Sequence, residues 1–267
     1  MFIIYLIIFI LGTFIGSFLN CVIYRLENKQ SFLKGRSFCP HCKHKLGFLD
    51  LIPVFSFIFL KGKCRYCGKK ISIQYPLMEI ITGLLFLLIL NFQFGCSQFS
   101  ILNLLTSIRF FYLLIASSFL VILFIYDLKH YIIPDKVIYS LMGITFFYQL
   151  IYNFQAFNSN FWSFLLSALG AAGFFFLIWF FSKGKCMGFG DVNLAFFMGL
   201  FLGWPNILVA LFSAFFIGAI IGIGLIILGK KKLKSQVPFG PFLIIGTFIA
   251  LFWGQNLINW YLNFLLL

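Results

Sequence analysis

The chain has 267 residues, 62% hydrophobic and only 10% charged, with a mean hydropathy of +1.05. A soluble domain carries about 25% charged residues, so that class is excluded. The formal charge of +14 comes from 20 Lys and Arg against six Asp and Glu. It suits an anionic lipid surface, and no recognition module for nucleic acid accompanies it.

Divided by the ~20 apolar residues that cross a bilayer as helix, the sequence gives eight segments. They run over 2–24, 77–95, 107–126, 137–153, 161–182, 192–203, 205–228 and 240–263. The expected fold is an all-α polytopic membrane protein of about eight transmembrane helices, with a small cytoplasmic zinc-binding domain between helices 1 and 2. The first segment lacks a basic stretch before it and a small-residue cleavage site after it, so it reads as an anchor rather than a removed signal peptide. The sixth is short. Gly188, Gly190 and Asp191 mark its start and Gly203-Trp204-Pro205 its end. Such a segment is expected where backbone lines a watery cavity instead of lipid.

Basic residues set the expected orientation. Eleven Lys and Arg fall between Arg25 and Lys70, and Lys129, Lys136, Lys183, Lys185, Lys230, Lys231, Lys232 and Lys234 follow alternate spans. Only Arg109 lies beside an opposite-side loop. Under the positive-inside rule both termini face outward and residues 26–76 are cytoplasmic. The chain thus divides into a first helix (1–25), a cytoplasmic domain (26–76) and a membrane domain (77–267).

The 26–76 domain holds Cys39-Pro40-His41-Cys42 and Cys64-Arg65-Tyr66-Cys67-Gly68. Two C-x-x-C pairs at this separation read as a tetrahedral zinc site. Disulfides are the alternative, disfavoured in a reducing cytoplasm. His41 and His44 are lesser candidates because four Cys already complete the shell. The metal is expected to be structural, since some 50 residues build too small a core alone. Cys21, Cys96 and Cys186 have no such partner and read as ordinary apolar positions.

Acidic residues are the other signal. Asp127 and Asp191 lie at edges of apolar runs, where charge is expensive and therefore functional by default. Asp191 ends Gly188-Phe189-Gly190-Asp191, a G-x-G-D sequence in which Gly188 and Gly190 allow a bent, substrate-facing backbone. Two carboxyls brought together supply both the base that activates water and the acid that protonates a carbonyl oxygen. Helix-end dipoles favour charge on Asp191 over Asp127, so Asp191 is expected to act first as base toward water and Asp127 as the initial proton donor. Asp135 competes, but after Pro134 it reads as a helix cap. His130 could face Asp127 from one turn on, or simply be interfacial. Glu79 could favour the N-terminus of the second span.

These blocks together carry a resemblance. The run Gly16-Ser17-Phe18-Leu19-Asn20-Cys21-Val22-Ile23-Tyr24-Arg25, the two C-x-x-C pairs, Ile71-Ser72-Ile73-Gln74-Tyr75-Pro76 with Glu79, Asp127 with Ile133-Pro134-Asp135, Gly188-Phe189-Gly190-Asp191-Val192 and Pro238-Phe239-Gly240-Pro241 follow in an order that resembles the bacterial type IV prepilin peptidases. Asn193 departs from the family's frequent Lys. The resemblance implies a G-x-G-D aspartyl endopeptidase of the inner membrane, its active site on the cytoplasmic side, related in active-site logic to presenilin. Its substrates would be prepilins and pseudopilins, cut after the Gly that ends a short basic leader. It also implies N-methylation of the new terminus with S-adenosylmethionine, served by the 26–76 domain and its flanks, with Glu79 as a candidate residue. No nucleotide-binding glycine loop is present in the sequence, so the methyl donor rests on the resemblance alone. The alternative is a proton-coupled transporter with a structural zinc module, to which intramembrane acids and a broken helix are also suited.

Overall fold

A computed structural model describes residues 2–31, 35, 37–95, 104–156, 160–185, 187–229 and 237–265. Cys96, Cys186 and the basic run Lys230, Lys231, Lys232 and Lys234 lie outside them. The elements in chain order are α1 (Phe2–Glu27), a 3-10 turn (Phe48–Leu51), α2 (Phe55–Phe59), α3 (Gln74–Phe94), α4 (Leu104–His130), α5 (Asp135–Ala156), α6 (Asn160–Ser182), α7 (Phe189–Leu202), α8 (Asn206–Ile227) and α9 (Gly240–Leu265). The described residues contain no β-strand, only the isolated bridges Phe38–Lys45 and Lys63–Lys70.

Each of the eight expected spans is a helix. Among the described residues, α1, α3, α4, α6, α8 and α9 are long and apolar enough to cross a membrane. α5 is not in that set; Asp135, Lys136 and Gln149 dilute its apolar content. α7 has 14 residues and is ~21 Å long at 1.5 Å per residue. That falls short of a ~30 Å hydrocarbon core. Large apolar side chains such as Phe14, Leu166 and Phe212 are exposed, as lipid-facing residues are.

Two compact units result, Met1–Ile122 and Leu123–Leu267. In the first, α1 lies along α3. A Cβ on Gly12 would stand 2.7 Å from the Gly83 Cα, and one on Gly16 2.7 Å from the Glu79 Cα. Small residues four apart thus let the two backbones touch, the usual packing device where lipid removes the hydrophobic drive between helices. In the last turn of α1, Arg25 is buried and donates to the carbonyls of Gly35 (2.7 Å) and Ser31 (3.4 Å), which ties both residues to the end of the helix.

In the second unit α7 packs against α5, α6 and α9, and α8 lies along α9. Gly199 abuts the backbone of Ala168 and Gly246 that of Ala210. Ten residues of α7 are buried. The buried amide of Gln149 on α5 donates to the Leu200 carbonyl at 2.9 Å. The short helix is therefore enclosed by protein, the setting in which a sub-length helix is tolerated at membrane depth.

Candidate active site and metal centre

Asp127 sits in the last turn of α4. Tyr131, at φ +59°, ends the helix and donates its N–H to the Asp127 carbonyl at 2.9 Å. Leu128, Lys129 and His130 are exposed, whereas Asp127 is only 4% exposed. Asp191 sits in the first turn of α7, behind the extended N-cap Gly188, and is 9% exposed. The two carboxyls are near enough to interact electrostatically.

Ile133 organises this meeting. It is buried in the link between α4 and α5. A Cβ on Gly190 would lie 2.9 Å from the Ile133 Cβ. A Cβ on Gly240, the first residue of α9, would lie 3.5 Å from the Ile133 Cδ1 and 2.5 Å from the Asp127 Oδ2. The end of α4 and the starts of α7 and α9 therefore converge on one side chain. The Gly240 N–H reaches the Asp127 carboxyl, while its Oδ2 has no hydrogen-bond partner among the described residues. The sequence marked Ile133 and Gly240 only as members of motifs. Their role as spacers emerges from the contact itself.

The helix-end argument does not decide which carboxyl carries charge. A dipole contributes up to about 1 kcal/mol at an accessible helix end, and desolvation of a buried ion costs several kcal/mol. With both carboxyls buried, the larger effect rules. Asp135 is exposed at the start of α5, where the Pro134 carbonyl receives the N–H groups of Val137 and Ile138. His130 is exposed and its ring lies 4.6 Å from that of Tyr126. Asn193 donates to the Tyr139 hydroxyl at 3.3 Å.

The first unit holds the cysteine cluster. The sulfurs of Cys39, Cys42, Cys64 and Cys67 lie within 4.8 Å of one another, with Cys39 and Cys67 at 3.9 Å. A tetrahedral ion with ~2.3 Å bonds to sulfur sets its ligands about 3.8 Å apart, so the cluster can hold a metal ion. None of these cysteines is in a disulfide. The two knuckles are built alike. The Cys39 N–H donates to the His44 carbonyl and the Cys64 N–H to that of Lys69, both at 2.9 Å; Lys43 and Gly68 donate back to Cys39 and Cys64. Each turn needs a left-handed residue after its second cysteine, and Lys43 (φ +57°) and Gly68 (φ +67°) fill that place. His44 stacks on Tyr66 with ring centroids 3.7 Å apart. Asp50 pairs with Arg65 at 3.1 Å and accepts from the Tyr66 hydroxyl at 3.3 Å. Desolvation, then the Asp50 carboxylate, raises the Tyr66 phenol above its ordinary range.

Glu79 is buried, one turn inside α3. Its Oε2 accepts the Val54 N–H at 2.7 Å, and the Ser17 side chain also reaches it. Val54 is a β-branched residue at φ +61°, a conformation that persists only under such constraint.

Residues 10–92 match the Bacterial Peptidase A24 N-terminal domain, and residues 114–223 match the Type IV leader peptidase family. A prepilin leader peptidase/N-methyltransferase of Legionella pneumophila is 32% identical over 97% of this chain and 95% of its own. Proteins of the same description from Aeromonas hydrophila and Bacillus subtilis are each 31% identical, over 97% and 96% of this chain and 94% and 97% of theirs. No solved structure matches the chain.

Proposed function

The chain belongs to the type IV leader peptidase family, and on that premise we propose that Asp127 and Asp191 are the dyad with which it cuts the leader from type IV prepilins. The protein is a multi-pass membrane peptidase and methyltransferase. One observation supports the dyad above all: two buried carboxyls, at the end of α4 and the start of α7, lie on segments that close on Ile133 and Gly240 and are near enough to interact electrostatically. In the reaction one carboxylate takes a proton from water while its partner, carrying the shared proton, gives it to the scissile carbonyl oxygen. The hydroxyl adds to the carbonyl carbon. The adduct collapses as a proton passes to the leaving nitrogen, giving a leader carboxylate and a free amine on the mature pilin. Gly188, the N-cap, and Gly190, in the first turn of α7, bring no side chain of their own to the approach to Asp191. The transporter reading gains no support from the family or from the relatives.

We place the enzyme in the bacterial cytoplasmic membrane, its dyad on the cytoplasmic side with residues 26–76, and its basic loops against anionic lipid. No nucleic-acid partner is expected. Pseudopilins are expected substrates beside prepilins. The four thiolates favour zinc, which prefers a closed tetrahedral sulfur shell. It would hold the two knuckles together as a structural ion. S-adenosylmethionine supplies the electrophilic methyl group for the new amine.

The test is cleavage of a synthetic prepilin by purified enzyme. Asp127→Asn and Asp191→Asn should each lose about 10³-fold or more while inserting normally and keeping their metal, and Asp135→Asn should stay within a few-fold of the parent. Turnover by Asp127→Asn within about tenfold of the parent would remove Asp127 from the dyad.

A further inference from the structure

Residues 47–60 are apolar apart from Asp50 and Ser56, although they lie outside every span expected to cross the bilayer. Packing does not bury them. Phe48, Leu49, Phe55, Ile58 and Phe59 are between 62% and 82% exposed. In α2, Phe55, Ile58 and Phe59 share one face, while Phe57 lines a cavity of the first unit on the other. Asp50 carries the one charge in the run and is turned inward: its side chain is 5% exposed and pairs with Arg65. A bare apolar surface of this kind marks a contact with membrane or with protein.

Depth, backbone pairing and charge together select the membrane. The Val54 N–H donates to the Glu79 Oε2 at 2.7 Å, and α3 is long and apolar enough to cross a bilayer. Glu79 stands about 7.5 Å along α3 from Gln74 at 1.5 Å per residue, and its neighbours Leu77, Ile80 and Ile81 are exposed. The run is therefore tied to the level at which the bare apolar side chains of α3 begin. Its backbone is paired as well. Besides Val54, the N–H groups of Ser56, Ile58 and Leu60 donate to the carbonyls of Ile52, Val54 and Ser56, and that of Gly62 to the carbonyl of Phe57. Lipid tolerates backbone in that condition alone. Exposed Lys45, Lys61 and Lys63 flank the run. They are drawn to anionic headgroups, whereas they repel a second copy of this chain or a basic leader. We propose that residues 47–60 are an interfacial anchor whose bare aromatic face enters the acyl region of an anionic cytoplasmic leaflet. The anchor rests on the placement of residues 26–76 at the cytoplasmic side and adds to it the segment that enters the lipid.

Photocrosslinking of the zinc-loaded full chain tests this. The photoreactive p-benzoylphenylalanine is placed at Phe55 or at Phe59, singly, and the protein is reconstituted in vesicles of phosphatidylcholine and phosphatidylglycerol in equal parts. Both side chains are exposed, so a larger ring is accommodated, and zinc content reports folding. Mass spectrometry after irradiation should find a phospholipid adduct on the peptide that carries either position, in a yield comparable to that at Leu84, a bare position of α3. Lys61→Glu with Lys63→Glu should lower the adduct at Phe59 about twofold or more, because each lysine near the surface adds to the attraction. An unchanged yield would overturn the choice of an anionic surface. Adducts to a second copy of the chain or to added synthetic prepilin in place of lipid, or no adduct at either position, would overturn the anchor itself. Both leaflets of the vesicles have one composition, so these outcomes do not depend on which side residues 26–76 face. Cleavage of that domain by a protease added outside intact spheroplasts would overturn the placement instead.

Discussion

Gly240→Ala offers a sharp test of the convergence at Ile133, because it adds one methyl group and no charge. The new Cβ would stand 2.5 Å from the Asp127 Oδ2 and 3.2 Å from its Cγ, where ordinary contact begins near 3.4 Å. The shortfall of about 0.9 Å at the oxygen must be relieved. A carboxyl can rotate at smaller cost than a helix can shift, so Asp127 is expected to turn away while α9 stays in place. The fold survives, but the dyad is displaced by about 1 Å, an error that costs on the order of 10²-fold in rate, or about 2.7 kcal/mol in the barrier. The assay is prepilin cleavage in proteoliposomes, with kcat and KM separated. The fall should appear in kcat, since the carboxyl acts on the reacting atoms. Gly222→Ala is the control: nothing lies within 4 Å of that added carbon, and cleavage should be unchanged. A Gly240→Ala enzyme with more than half of the parental kcat would refute the convergence.

Zinc analysis of protein prepared without chelators should give one ion per chain; Cys39→Ser or Cys67→Ser should lower it and loosen residues 26–76, with methylation suffering more than cleavage. Absence of zinc from the parent would discard the structural role. Gly12→Leu should overpack the α1–α3 contact and destabilise the first unit by about 1–3 kcal/mol, read as a lower thermal midpoint; an unchanged midpoint would mean the helices are not pressed together there. In the knuckles, Lys43→Gly should relieve a left-handed residue worth about 1 kcal/mol and Gly68→Val should introduce one, so a chelator should strip zinc more slowly from the first variant and faster from the second. The reverse order would contradict the proposed equivalence of the two turns.

Several features were already decided along the chain. Spans are legible because ~20 apolar residues in a row have one low-energy state in lipid, the helix. The eight segments accordingly appear as helices, with ends a few residues from those expected. The knuckles are legible because both ligands of each pair lie within one turn of chain, and the left-handed place after Cys67 is already occupied by Gly68. Asp127 and Asp191 stand out because acid is rare and costly in such surroundings.

Tertiary structure decided what those residues meet. No local pattern brings the end of α4 to the starts of α7 and α9, and Ile133 and Gly240 gain their meaning only there. Gly12 is an unremarked small residue, and Gly16 only the first of a motif, until α3 lies against them. Asn20 looks like one polar residue of the first span until its Oδ1 is found buried and without a hydrogen-bond partner among the described residues. For the two carboxyls, helix-end dipoles use position in the chain, whereas the cost of ionisation also depends on burial. Periodicity and ligand spacing are properties of neighbours in sequence, but burial, close approach and unpaired polar atoms depend on segments far apart in the chain, and only packing brings those together.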